Sequence, residues 1–296
     1  MAATTLHLVD ASPYIFRAFY SLPTSIRSPD GRPVNAVRGF GDMLARVVRE
    51  GAPSHLLVAF DGSLTTSFRN EVYPAYKSSR DAPDEDLVAQ LDACQELAAA
   101  MGAFCCIDDR YEADDLVATA QARFRGDVDA VEVVTADKDL AQLVDERTVF
   151  HDFAKDVRLD VEGVTQRYGV RPDQIRDLLG LAGDSVDDIP GVRGVGPKTA
   201  TALLGEFDDL DAIYGDLDRV AKLSIRGAKT LGAKLAEHRE IAYLSRELAT
   251  CATDAPLDAS LDDLAYRGAD PDVLAPLLER LGLSGRLLAV PHRTER

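Results

Sequence analysis

Through the first half of the chain, short apolar runs alternate with longer stretches of helical spacing. Residues 6–9, 55–60, 104–107, 131–135 and 148–150 are runs rich in Leu, Val, Ile, Phe and Cys, which predicts five strands. Between them, Val37, Phe40, Met43, Leu44, Val47 and Val48 recur at helical intervals. So do the apolar positions of 87–101, ended by Gly102, and of 112–124. Strands without polar alternation, separated by helices, predict an α/β fold whose mostly parallel sheet is covered by helices on both faces.

The pattern changes near residue 160. Segments 161–168, 172–181, 198–204, 210–214 and 231–248 all have helical spacing and no strand run interrupts them. The reading is an α/β core over 1–165, an all-helical region over 166–250, and a segment over 251–296 that packs back on the body. That last segment holds Pro256, Pro271 and Pro276 among acids. Residues 62–85 lack a core pattern and are too long for an ordinary connection, which suggests a lid or binding loop.

Charge first argues against a phosphate-rich partner. The chain carries 33 Lys plus Arg against 50 Asp plus Glu, a net charge of −17, and a negative surface repels nucleic acid. The charges are unevenly placed, however. Residues 190–205 hold Arg193 and Lys198 with no acid, and residues 219–239 hold six Lys or Arg against Glu237. Such local stripes beside dense acids suit carboxylates that hold cations next to a phosphate site. Cys94, Cys105, Cys106 and Cys251 form no C-x-x-C spacing, so a reducing, cytoplasmic setting without structural zinc is expected. The first residues read as a strand rather than a leader, and no apolar run has the length of a membrane span.

The acids carry the chemistry. Asp10 and Asp61 directly follow strand runs, and Asp137 and Asp139 follow the 131–135 run. Ligands of open parallel sheets bind beyond the carboxyl ends of strands, so acids from separate segments can meet there. A single such Asp reads better as a helix cap or turn former; several together do not. Glu112, Asp114 and Asp115 add three acids at one helix start, where one or two could serve the helix dipole alone. Asp184 and Asp187 sit in an acidic loop before the glycines. Oxygen-only ligands select hard divalent ions such as Mg²⁺ or Mn²⁺. Two of these make a phosphoryl-transfer clamp, so metal-assisted phosphodiester hydrolysis is the hypothesis.

Residues 191–199, Gly-Val-Arg-Gly-Val-Gly-Pro-Lys-Thr, resemble a Walker loop at first sight. Pro197 separates the last glycine from the lysine and the segment follows a helix, so a helix–hairpin–helix fits better. Its exposed amides and following helix N-terminus would bind backbone phosphate without sequence preference. A tight turn without a ligand is the plainer alternative.

Taken in order, these motifs resemble the bacterial 5′→3′ exonuclease and flap endonuclease family, over nearly the whole chain. They are Leu-Val-Asp10, Phe-Asp61-Gly, Ser67-Phe68-Arg69, Tyr76-Lys77 with Arg80, Tyr111-Glu112-Ala-Asp114-Asp115, Thr135-Ala-Asp137-Lys-Asp139-Leu, and the run from Gly183-Asp184 through Asp187 to Lys198-Thr199-Ala. The resemblance implies a PIN-like nuclease core with a helical arch at 62–85 and a helix–hairpin–helix region that binds duplex. It implies metal ligation by Asp10, Asp61, Glu112, Asp114, Asp115, Asp137, Asp139, Asp184 and Asp187, with two divalent cations. It gives Lys77 and Arg80 the scissile phosphate, Tyr76 a stacking role and Arg69 a phosphate contact. Asp188 stands where relatives often have Asn and is not counted as a ligand. Gly191, Gly194, Gly196, Lys198 and Thr199 would contact duplex, with a K⁺ ion on the hairpin carbonyls. Lys222, Arg226 and Lys229 extend that surface, with a plain solvated face as the alternative.

The implied substrate is DNA with a 5′ flap or a 5′ end beside duplex, cut by a monomeric, free-standing enzyme of replication and repair. A PIN-type ribonuclease and a catalytically inactive DNA-binding paralogue are the competing readings. A haloacid-dehalogenase-like phosphatase needs an acid two residues after Asp10, where Ser12 stands.

Overall fold

In the computed structural model, residues 3–63, 65–225, 227–283, 287 and 289–292 are described. Six strands form one sheet: β1 (Thr5–Asp10), β2 (His55–Asp61), β3 (Phe104–Asp108), β4 (Ala130–Val134), β5 (Thr148–Asp152) and β6 (Val157–Leu159). Their order is β3-β2-β1-β4-β5-β6, parallel except for the antiparallel edge strand β6. The sixth strand, three residues long, is the one the hydrophobic pattern did not predict.

Alternation within β1 shows how the sheet divides the core. Val9 faces one apolar cluster with Val58, Phe60 and Val134, while Leu6 and Leu8 face another with Leu57, Ala59, Val131 and Val133. The first face is covered by α1 (Ser12–Ser21), α2 (Asn35–Arg46) and α4 (Glu85–Ala100). Between β2 and α4 lies α3 (Phe68–Val72), and α5 (Ala113–Phe124) covers the second face. Helix α1 was not predicted, because its buried positions Tyr14, Ile15 and Ala18 are too few to give a clear period.

The helical region follows: α6 (Val161–Tyr168), α7 (Ile175–Ala182), α8 (Pro197–Leu204), α9 (Leu210–Gly215), α10 (Leu217–Val220), α11 (Ala228–Glu237) and α12 (Arg239–Ala249). These helices share a third apolar cluster, which also takes in Phe150, Leu159 and Tyr76. Residues 251–264 pack on the α5 face, and α13 (Pro271–Arg280) packs on the α1, α2 and α4 face. The 62–85 segment differs from the expected helical arch. Among its described residues ahead of α4 the single helix is the five-residue α3, followed by turns.

Candidate active site

Strands β2, β1 and β4 are neighbours in the sheet, so their carboxyl ends stand side by side, about 4.8 Å apart. The chain leaves β1 toward β2 on one side and returns to β4 on the other, which makes this end of β1 the switch point where a crevice opens. Asp10 and Asp61 are the last residues of β1 and β2. Asp137 caps the turn after β4 by accepting the Asp139 amide at 2.9 Å. Hydroxyls fix the first two: Thr135 donates to Asp10 at 2.8 Å, and Ser12 donates to Asp61. The Ala113 amide at the start of α5 donates to the other Asp61 oxygen at 2.8 Å. Ser12 and Thr135 are thus site residues that the sequence reading did not assign.

The acids are crowded and poorly hydrated. Burial, then repulsion from Asp61, holds the Asp10 carboxyl well above the usual range. Burial, then Asp10 and Asp137, does the same to Asp114. Asp61 and Asp137 are also raised, chiefly by burial. Asp139 is pushed up to about 7 by burial and by Asp137. Its buried Oδ1 accepts no hydrogen bond and meets the Lys138 Nζ at 3.5 Å. Asp137, Lys138, Asp139, Asp184, Asp187 and Arg80 line a cleft of 290 Å³, small beside the clefts of 690 and 540 Å³ that lie away from these acids.

Cations stand against these acids. Lys77 Nζ lies 2.8 Å from Glu112 and 3.8 Å from Asp187. Arg80 donates to Asp187 at 2.6 Å. Burial alone would raise the Glu112 carboxyl, but Lys77 and then Arg69 bring it below its ordinary value. Lys138, named in the sequence only as the spacer between two acids, donates to Asp184. Backbone contacts latch the 77–80 stretch onto the acidic loop: Lys77 N–H to Asp187 C=O at 3.0 Å, and Ser79 N–H to the Asp188 carboxylate at 2.8 Å. Asp188 has φ 55°, a left-handed conformation that Asp tolerates better than most residues.

Four expectations change. Gly191, expected at the duplex, is buried and its amide donates to the Ser245 hydroxyl at 3.0 Å. Asp115, expected as a metal ligand, is fully buried; its two oxygens accept from Arg69 at 2.8 Å each, and also from the Glu112 and Ala252 amides. Arg69, expected on phosphate, is 3% exposed and also donates to the Leu248 and Thr250 carbonyls. It ties 62–85 to the end of α12 and is out of reach of a strand of DNA. Tyr76 was expected to stack on a base, yet its ring is buried in the helical core and its hydroxyl donates to Glu112 at 3.1 Å.

The glycine loop joins α7 to α8. Gly191 and Gly183 pass so close that a Cβ on Gly191 would lie 2.3 Å from the Gly183 nitrogen. That contact, with Val192 N–H to Leu181 C=O at 2.8 Å, closes the hairpin. Val192 and Val195 point into the core, whereas Gly194, Gly196 and Lys198 are exposed and Thr199 is half-buried. Gly194 has φ +80°, which favours glycine. Lys222 and Lys229 are exposed, and Arg226 lies outside the described residues. Lys234 on α11 reaches the hairpin, its Nζ 3.3 Å from where a Gly194 Cβ would stand.

The donor set fits divalent cations. It is all oxygen, it includes a buried carboxylate oxygen without a hydrogen bond, and its carboxyls are raised by burial first and then by a mutual repulsion that positive charge would relieve. Among the described residues no three of these acids are drawn tightly enough together to cage one ion. Lys77 lies instead within reach of both Glu112 and Asp187, and Lys138 within reach of both Asp184 and Asp139.

DNA polymerase I of Pseudomonas aeruginosa is 42% identical over 265 residues, covering 89% of this chain and 29% of that protein. DNA polymerase I of Rhizobium leguminosarum is 40% identical over 267 residues, covering 88% of this chain and 26% of that protein. The chain therefore spans under a third of the length of these relatives. The flap endonuclease of bacteriophage T5, solved as a pseudo-enzyme–product complex with DNA and metal ions, superposes with a TM-score of 0.69 at 20% identity. That match covers 94% of this chain and 97% of the phage protein, and establishes a common fold. No described helix is long and apolar enough to cross a membrane. Residues 5–169 match the 5′-3′ exonuclease N-terminal resolvase-like domain and residues 170–272 match the 5′-3′ exonuclease C-terminal SAM fold, so the chain belongs to the 5′-3′ exonuclease family.

Proposed function

We propose that this chain is a structure-specific 5′ nuclease, a 5′→3′ exonuclease and flap endonuclease that hydrolyses DNA phosphodiesters with two divalent cations, Mg²⁺ or Mn²⁺. The observation that carries the reading is the meeting of buried, mutually repelling acids at three adjacent strand ends in a chain of this family. Asp10, Asp61, Glu112, Asp114 and Asp137 would hold one ion, and Asp137, Asp139, Asp184 and Asp187 the other. When bound, such ions supply an activated water and charge stabilisation at the leaving oxygen.

The chain's own groups do the rest. Thr135 and Ser12 keep Asp10 and Asp61 turned into the crevice. Lys77 and Arg80 bring positive charge to the cleft mouth, where the scissile phosphate would lie beside acids that otherwise repel it. The exposed amides of the hairpin, with Lys198 and Lys234, would grip duplex through its backbone. A K⁺ ion on the hairpin carbonyls belongs to the same reading.

Cleavage of 5′-labelled flap, gapped and blunt duplexes, with Mg²⁺ and with chelator, tests it. Release from the 5′ side next to duplex, only with metal, is expected. Cleavage in chelator, or of RNA alone, would overturn the reading.

A further inference from the structure

Lys138 belongs to none of the roles assigned above, yet it lines the acidic cleft. Its ammonium donates to Asp184 and stands 3.5 Å from the buried Asp139 Oδ1. Asp184 and Asp139 are 8% and 13% exposed at their side chains, whereas Lys138 is 50% exposed. The two acids are fixed in place: the Asp184 main chain pairs with Ile189 in both directions, and the Asp139 amide is held by Asp137. The lysine hangs on a flexible four-carbon stem with solvent beside it. Lys77 differs, since its ammonium is enclosed between Glu112 and Asp187 and its side chain is 15% exposed.

We infer that Lys138 is a tethered competitor for the second divalent cation: its ammonium occupies the Asp139–Asp184 pair and must swing out for that cation to bind. The inference rests on the metal reading proposed above. One ammonium offsets one of the two negative charges it faces, and a divalent ion offsets both. Each is a cation seeking the same oxygens, so they exclude one another. The lysine therefore lowers the affinity of this position for the ion. Its position between Asp137 and Asp139 fixes its reach.

Mn²⁺ binding to the DNA-free full chain, followed by the electron paramagnetic signal of free Mn²⁺, tests this without any cleavage. Lys138→Met should bind the weaker of two Mn²⁺ ions about tenfold more tightly than wild type, a change of about 1.4 kcal/mol, with the tighter ion unchanged. Lys138→Arg keeps the charge and should stay near wild type, and Lys138→Gln, which removes the charge but keeps a polar side chain, should tighten the weaker ion as Lys138→Met does, so the test stands even if Lys138→Met folds poorly. Unchanged or weaker binding by Lys138→Met, or a tighter second ion in Lys138→Arg, would overturn the inference while leaving the metal site standing. Failure of wild type and its variants to bind Mn²⁺ would overturn the metal reading itself, and this inference with it.

Discussion

Asp114 and Asp115 are neighbours in sequence and open the same helix, yet they meet opposite surroundings. Asp115 is enclosed by Arg69 and two amides, with every oxygen partnered. Asp114 faces Asp10 and Asp137 across the crevice, and its carboxyl is pushed well up, first by burial and then by that repulsion. The first is a buried ion pair that ties 62–85, α5 and α12 together. The second is a charge the fold compensates only in part, through Lys77. The contrast teaches that satisfied buried charge stabilises the scaffold, while unsatisfied buried charge marks the place where something else must bind.

The two kinds of acid should separate sharply under mutation. Asp114→Asn removes a repelling charge from the crevice, so metal-dependent flap cleavage should fall about 10⁴-fold or more, about 5.5 kcal/mol. The metal-free melting temperature should hold or rise. A melting temperature that drops with activity would place Asp114 with Asp115 as a scaffold residue. Arg69→Ala should do the converse, costing about 3–5 kcal/mol of stability by leaving Asp115 buried and unpaired. Denaturant unfolding measures this; a loss under 1 kcal/mol would contradict the pairing argument.

Smaller effects sharpen the same division within the cations. Lys77→Ala should slow single-turnover cleavage at saturating DNA by about 3 kcal/mol, comparable to a single oxyanion donor, with duplex affinity little changed. An unchanged single-turnover rate would remove Lys77 from substrate positioning. Lys198→Ala should weaken duplex binding evenly across unrelated sequences and lower the salt slope by about 1. A loss confined to one sequence would argue against backbone recognition by the hairpin.

Much of this was legible in the sequence because it is local. Five apolar runs are strands, and the acids directly after them share one end of the sheet by topology alone. The hairpin glycines were readable for the same reason. What escaped depends on distance along the chain. The Arg69–Asp115 pair joins residues 46 apart, and Arg69 reaches the Leu248 carbonyl 179 residues on. Motif order alone therefore placed Arg69 and Tyr76 at the DNA, where burial excludes them. Lys138 lay in plain sight between two acids, but only the folded loop brings Asp184 to it.

The central claim is that repulsion among these acids is relieved by divalent cations, and the pH dependence of metal-induced stabilisation tests it most directly. Asp139 has a carboxyl pushed up to about 7, and Asp10, Asp61, Asp114 and Asp137 are raised with it. A raised folded-state value means that protonation stabilises the fold: the contribution is complete below the ordinary range near 3.8 and is lost as pH rises through the raised values. Protons and Mn²⁺ thus compete for the same oxygens. The gain in melting temperature from saturating Mn²⁺ over chelator should be small at pH 5.5 and should grow steadily to pH 7.5. No gain at any pH, or a gain equal at pH 5.5 and 7.5, would contradict the account.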